Sequence, residues 1–142
     1  MNLRLQFSTQ GLDWAEAARV FSATLAPRAP DLLRRAFEAS SVTAFAFDGR
    51  RVVGMGRALD DGVFQAAIYD LCLLPEYQGQ GQGAALLSGL LERIHGRTVL
   101  LYAVPGKEGF YERFGFRVMQ TAMGRFENPA RMERLGYLRS TL

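Results

Sequence analysis

Apolar and polar positions alternate from the start of the chain. Leu3, Leu5 and Phe7 are separated by Arg4 and Gln6, the period of two expected of a half-buried strand. The period then lengthens. Asp13 stands three residues before Glu16, a helix-start pattern, and Trp14, Ala17, Ala18, Phe21 and Leu25 fall on one helical face. Pro27 and Pro30 interrupt it, and Leu32, Leu33, Ala36 and Phe37 predict a second short helix from Asp31 to Ala39. A β-meander follows: Val42 to Phe47, the loop Asp48-Gly49-Arg50-Arg51, Val52 to Leu59, the turn Asp60-Asp61-Gly62, and a long third strand from Val63 to Leu74.

Pro75 has no N–H for a ladder partner and ends that strand. A broad helical face of Ala84, Leu86, Leu87, Leu90, Leu91 and Ile94 begins nine residues later. His95-Gly96 reads as its stop, with Gly96 suited to a left-handed cap. Thr98 to Val104 is rich in strand formers and is joined to the preceding strand through a helix, which predicts a parallel neighbour. Pro105-Gly106 breaks it, Lys107 to Phe114 makes a short helix, and Phe116 to Met119 and Ala122 to Phe126 are expected to be closing strands. From Asn128-Pro129 onward, Arg131, Met132, Leu135 and Leu138 form either one helix face or a loosely docked tail. The pattern as a whole predicts an α/β protein in which a mixed central β-sheet is flanked by helices, with residues 1–142 forming a single domain.

Composition narrows the setting. With 49% hydrophobic residues the chain has an ordinary globular make-up rather than that of a disordered one. No run approaches the roughly 18 apolar residues that cross a bilayer, and the first residues carry no apolar signal core. A soluble cytoplasmic protein without membrane contact is the expectation. Cys72 is the only cysteine, so no internal disulfide forms, and with a single histidine a Cys/His zinc site is excluded; no metal is expected. The net charge of +3 is carried by arginines and one lysine, Lys107, without a like-charge block, which predicts a solvated surface and no nucleic-acid track. His95, at a helix end, reads as a surface residue that satisfies the helix dipole rather than as a base.

The candidate chemistry lies between the third meander strand and the following helix. Gly79, Gly81 and Gly83 alternate with Gln78, Gln80 and Gln82 and lead into Ala84. Without Cβ atoms the backbone there can approach a ligand closely, and the first N–H groups of the helix, backed by its dipole, favour a phosphate or pyrophosphate. A Walker loop is excluded, since no Gly-Lys-Ser/Thr follows. Residues 79–84 satisfy a dinucleotide fingerprint, but Pro75 to Gln78 separates them from the strand and no acidic residue ends the next strand.

Leu71-x-Leu73-x-Pro75-x-x-Gln78-x-x-Gly81-x-Gly83 resembles the acetyl-CoA-binding signature of the GCN5-related N-acetyltransferases, the GNAT family. Phe110-Tyr111-Glu112-Arg113-Phe114-Gly115-Phe116 is similar to the family's Tyr-x-x-x-Gly-Phe segment, at the usual distance downstream. The resemblance implies a GNAT-type fold and transfer of an acetyl group from acetyl-CoA, as cosubstrate, to a primary amine of a small molecule by direct attack in a ternary complex. It implies that backbone N–H groups at Leu71 and Leu73 bind the acetyl oxygen and pantetheine, and that pyrophosphate lies on the N–H groups of Gln78, Gly79, Gln80, Gly81, Gln82, Gly83 and Ala84.

Two side chains are candidate proton carriers. A phenol, with a pKa of about 10 in water, stays protonated at neutral pH, which fits Tyr111 as the acid for the departing thiolate. Asp70, the one carboxylate in an otherwise apolar strand, is the candidate base, with a water relay as the alternative. Some family members have Glu-Asp where this chain has Tyr69-Asp70, and others a Glu where Ala67 stands. Strand alternation sends Cys72 to the face opposite Leu71 and Leu73, which argues against an acyl-enzyme. The rival readings are a non-catalytic acyl-CoA sensor and a peptide or protein N-acetyltransferase. Edge-strand pairing into a homodimer stays open.

Overall fold

The computed structural model describes residues 3–141. Residues up to Leu101 and those from Tyr102 form two compact units. The first holds β1 (Arg4–Gln6), α1 (Trp14–Thr24), α2 (Pro30–Glu38), β2 (Val42–Asp48), β3 (Arg51–Asp60), β4 (Gln65–Leu73), a 3₁₀ turn at Pro75–Tyr77, α3 (Gln82–Arg93) and β5 (Thr98–Leu100). The second holds α4 (Glu108–Glu112) and α5 (Pro129–Arg134).

The sheet of the first unit runs β1-β2-β3-β4-β5, antiparallel except for the parallel pair β4–β5 made by the α3 crossover. One face carries α1 and α2. Asp13 caps α1 by accepting the Glu16 N–H at 3.1 Å, but the Glu16 carboxylate reaches Val52 N–H at 2.7 Å instead of closing a capping box. Leu33 and Phe37 are the buried residues of α2, and Phe37 meets Trp14 and Phe45 at ring separations of 6.0 and 5.3 Å. Leu32, expected on that face, is 53% exposed. The other face carries Leu86, Leu87, Gly89 and Leu90 of α3. Gly89 leaves room for the Phe7 ring, on which the Arg93 guanidinium also rests at 3.4 Å.

Several expectations are corrected. Val63 and Phe64 do not extend β4; the Asp61 carboxylate takes the N–H groups of Val63, Phe64 and Gln65, which holds them in a turn and lowers the pKa of that carboxyl. Gly96 is not a left-handed cap, since its φ is not positive and α3 ends at Arg93. Its lack of a side chain serves close packing: a Cβ would stand 3.0 Å from the backbone of Gln65 and from Asp60 Oδ1. β5 ends at Leu100, well short of Val104.

The second unit is tied by aromatic edges. Tyr102 meets Phe126 and Tyr137 at 5.6 and 5.8 Å, and Asn128 caps α5 through the Arg131 N–H at 3.1 Å. The expected closing strands at Phe116 to Met119 and Ala122 to Phe126 are absent among the described residues. The Phe126 ring folds onto Gly124 where a Cβ would stand, and Val118 and Met123 are 74% and 98% exposed, so these apolar positions have no ladder or core to drive pairing.

Candidate active site

The parallel pair β4–β5 lasts only for Gln65↔Thr98, Ala66↔Val99 and Ala67↔Leu100. β4 then runs on to Leu73 while paired on its other side to β3, so among the described residues no strand lies beside its other edge from Ile68 onward. That edge contains a bulge. Asp70 has φ +60, the only positive φ of a non-glycine residue among those described, and the register with β3 shifts between Met55 and Arg57.

The direction of the backbone groups follows from one bond. Leu74 N–H donates to Val53 O at 2.8 Å, which makes Gly54↔Leu73 a non-hydrogen-bonded pair, with the Leu73 N–H turned away from β3 toward the strandless edge. The β3 glycines make this geometry compact. A Cβ at Gly54 would lie 2.8 Å from Cys72 O, and one at Gly56 would lie 2.9 Å from Leu71 Cδ1 and 3.0 Å from Leu90 Cδ1. Leu71 and Leu73 therefore pack against α3, and Cys72 sits on the α1 face near Thr24. Burial pushes the Cys72 thiol up to about 11, so it stays a thiol at neutral pH and is no nucleophile.

The glycine cradle adjoins this edge. Gly79 and Gly81 take φ +79 and +83, and a Cβ at either would meet nothing within 4 Å, so both face open space. Gly81 is the N-cap of α3 and has no side chain with which to cap it. Two bonds hold the loop. Gln78 Nε2 donates to Leu73 O at 2.8 Å, and the buried Tyr77 hydroxyl donates to Asp48 Oδ2, a bond that raises the phenol's pKa. Gln78 thus carries a bracing side chain, while Gly79, Gln80, Gly81, Gln82, Gly83 and Ala84 line the loop and first turn. This open glycine loop at a helix start has the room and backbone polarity that fit a pyrophosphate of the acetyl-CoA kind.

Asp70 lies at the same bulge. Its side chain is 12% exposed, and Arg57 Nε donates to Oδ2 at 2.7 Å. Arg28 Nη1 stands 3.9 Å from the same oxygen. Sequence reasoning missed both arginines. The signal was Arg57, a lone charge within the apolar run Val52 to Leu59, but the bulge hides its alignment with Asp70. Tyr111 belongs to the second unit, on α4, with its ring edge-on to Phe110 at 5.0 Å and to Phe116 at 6.0 Å. His95 is exposed, and its backbone N–H is held by Asp60 at 2.7 Å.

Comparison with known proteins places this geometry. A family model described as an acetyltransferase (GNAT) domain matches residues 6–127. Serotonin N-acetyltransferase 2, chloroplastic, of Oryza sativa subsp. japonica is 36% identical over 117 residues, 77% of this chain and 58% of that protein. Histone acetyltransferase TAP1 of Glycine max is 39% identical over 70 residues, 47% of this chain and 30% of that one. The chain thus spans 58% or less of the length of these two curated relatives. Among solved structures, a GNAT family acetyltransferase of Streptococcus pneumoniae TIGR4 superimposes with a TM-score of 0.76 at 25% identity, covering 89% of this chain and 98% of that one.

Proposed function

Because the chain belongs to the GNAT acetyltransferase family, we propose that it moves the acetyl group of acetyl-CoA to a primary amine of a small molecule, by direct attack in a ternary complex. The observation that supports this reading is the edge of β4 that has no strand beside it among the described residues, where the Leu73 N–H faces outward near the glycine loop that opens α3. Acetyl-CoA, when bound, supplies an acetyl group activated as a thioester. In this reading the Leu71 and Leu73 N–H groups orient and polarise the acetyl carbonyl as preorganised donors. Residues 79–84 hold the pyrophosphate through backbone N–H groups and the helix dipole. Asp70 takes the proton from the incoming ammonium, and the Tyr111 hydroxyl gives one to the departing sulfur.

The test is release of CoA from acetyl-CoA across amines, amino acids, aminoglycosides and N-terminal peptides, with wild type beside Tyr111→Phe. A general acid contributes about 10²–10⁴-fold, so the variant is expected to lose at least about 10²-fold in kcat while its affinity for acetyl-CoA, followed by calorimetry, holds. Tight acetyl-CoA binding with no turnover on any amine would point to a sensor. Turnover confined to peptides would point to a protein acetyltransferase, the activity that the soybean relative's name carries.

A further inference from the structure

The bulge of β4 holds an unequal set of charges. Asp70 contributes one carboxylate, and two guanidinium groups converge on its Oδ2. The two arginines are held differently. Arg57 is 14% exposed, bonded to Asp70 at 2.7 Å and to Ser40 Oγ at 3.3 Å, and stacked between Tyr69 and Phe37 at 5.3 and 5.9 Å. Its charge is matched by Asp70. Arg28, on the loop between α1 and α2, is 42% exposed, lies over the Phe21 ring at 4.9 Å, and approaches Asp70 only to 3.9 Å. Among the described residues no second carboxylate lies within ion-pair distance of it. The cluster therefore carries an excess positive charge, and the half-exposed guanidinium beside the partly buried carboxylate is its open side.

A plain ammonium would meet Asp70 but also the surplus cation. A ligand with an amine and a carboxylate on one carbon matches both, with the amine toward Asp70 and the carboxylate taken by the planar fork of Arg28. Asp70 immediately precedes Leu71, so an amine held by its carboxylate stands on the residue next to the backbone proposed to bind the acetyl group. Resting on the acetyltransferase reading above, we propose that the acceptor is a free α-amino acid and that Arg28 sets this specificity by binding its carboxylate. A peptide N-terminus carries an amide in place of that carboxylate, and an arylalkylamine carries nothing there.

The experiment compares free amino acids, each beside its own methyl ester, as acceptors for wild type, Arg28→Gln and Arg28→Lys, with thermal melts to confirm folding. The expected result is a kcat/KM for the best free acid at least about tenfold above that for its ester, a ratio falling toward one in Arg28→Gln and only partly in Arg28→Lys, which keeps the charge but not the fork. An ester preferred over its acid in wild type, or equal losses for both in Arg28→Gln, would overturn the proposal while leaving acetyl transfer intact. Calorimetric titration of the same amino acids into CoA-saturated protein supplies a readout independent of turnover. Arg28-dependent binding without turnover would overturn the amino acid as acceptor and, with it, the acetyltransferase reading, and would leave Arg28 as a carboxylate-binding residue only. Absence of binding by every amino acid would overturn the inference.

Discussion

Cys72 shares a strand with the proposed acetyl-binding backbone, yet its position on the α1 face keeps it from chemistry. Burial raises its pKa from the ordinary 9.0 to about 11. A group whose folded pKa is raised stabilises the fold fully below the unfolded value and loses that contribution as pH climbs through the folded one. Wild type should therefore lose stability between about pH 9 and 11, and Cys72→Ala should lose less over the same interval, as thermal melts at pH 8 and 10.5 would measure. Equal losses would mean that other groups, the Tyr77 phenol bonded to Asp48 among them, govern the alkaline limb. At this scale the chain was only partly readable. Asp70 stood out as a charge in an apolar strand, but its partners did not, because a bulge changes which β3 residue lies opposite and sequence spacing carries no trace of that slip.

At the scale of elements, glycine positions mark where backbones crowd. Gly54 has no room on any side: backbone at Cys72, side chain at Leu73, and Leu86 of α3 at 3.2 Å. Gly54→Ala should destabilise by about 1–3 kcal/mol, since a backbone carbonyl cannot swing aside as a long side chain can. Gly109→Ala in α4, where a Cβ meets nothing within 4 Å and φ is not positive, should instead be neutral or stabilise by up to about 1 kcal/mol. Urea titration of both variants checks the contrast, and similar values for the two would mean that the crowding at β3 relaxes freely. The same crowding explains what could be read in advance. The strand, glycine turn and helix from Leu71 to Ile94, the three meander strands and the parallel sense of β5 follow from local pattern and chain connection. Where β5 stops does not, because Leu101 to Val104 is as rich in strand formers as Thr98 to Leu100, and the length of pairing depends on how far β4 stays alongside.

For the whole molecule, burial is distributed unevenly. Every buried residue among those described lies at or before Leu90, and the second unit has none. Amide protection follows buried apolar contact, so β2 and β3 should be the slowest to exchange and residues 102–141 the fastest, apart from exposed turns. Hydrogen-exchange mass spectrometry measures this directly, and protection of the second unit equal to that of β3 would contradict it. The missing closing strands belong here too. Their alternation was visible, but a strand exists only with a partner, and partner choice is a property of the assembled chain rather than of the segment. The family match from residue 6 to 127 spans both units, so membership was legible from two motifs even where the second unit's strands were not.

The loop that leads into α3 is anchored twice, by Tyr77 to the β2–β3 hairpin and by Gln78 to the end of β4. Its ordering is accomplished when the chain folds, so arrival of a ligand need not wait for a segment to find its shape. If the loop holds the pyrophosphate as proposed, capture is governed by encounter and local charge, and the lifetime of the complex, rather than its rate of formation, becomes the quantity that substitutions along the loop would tune.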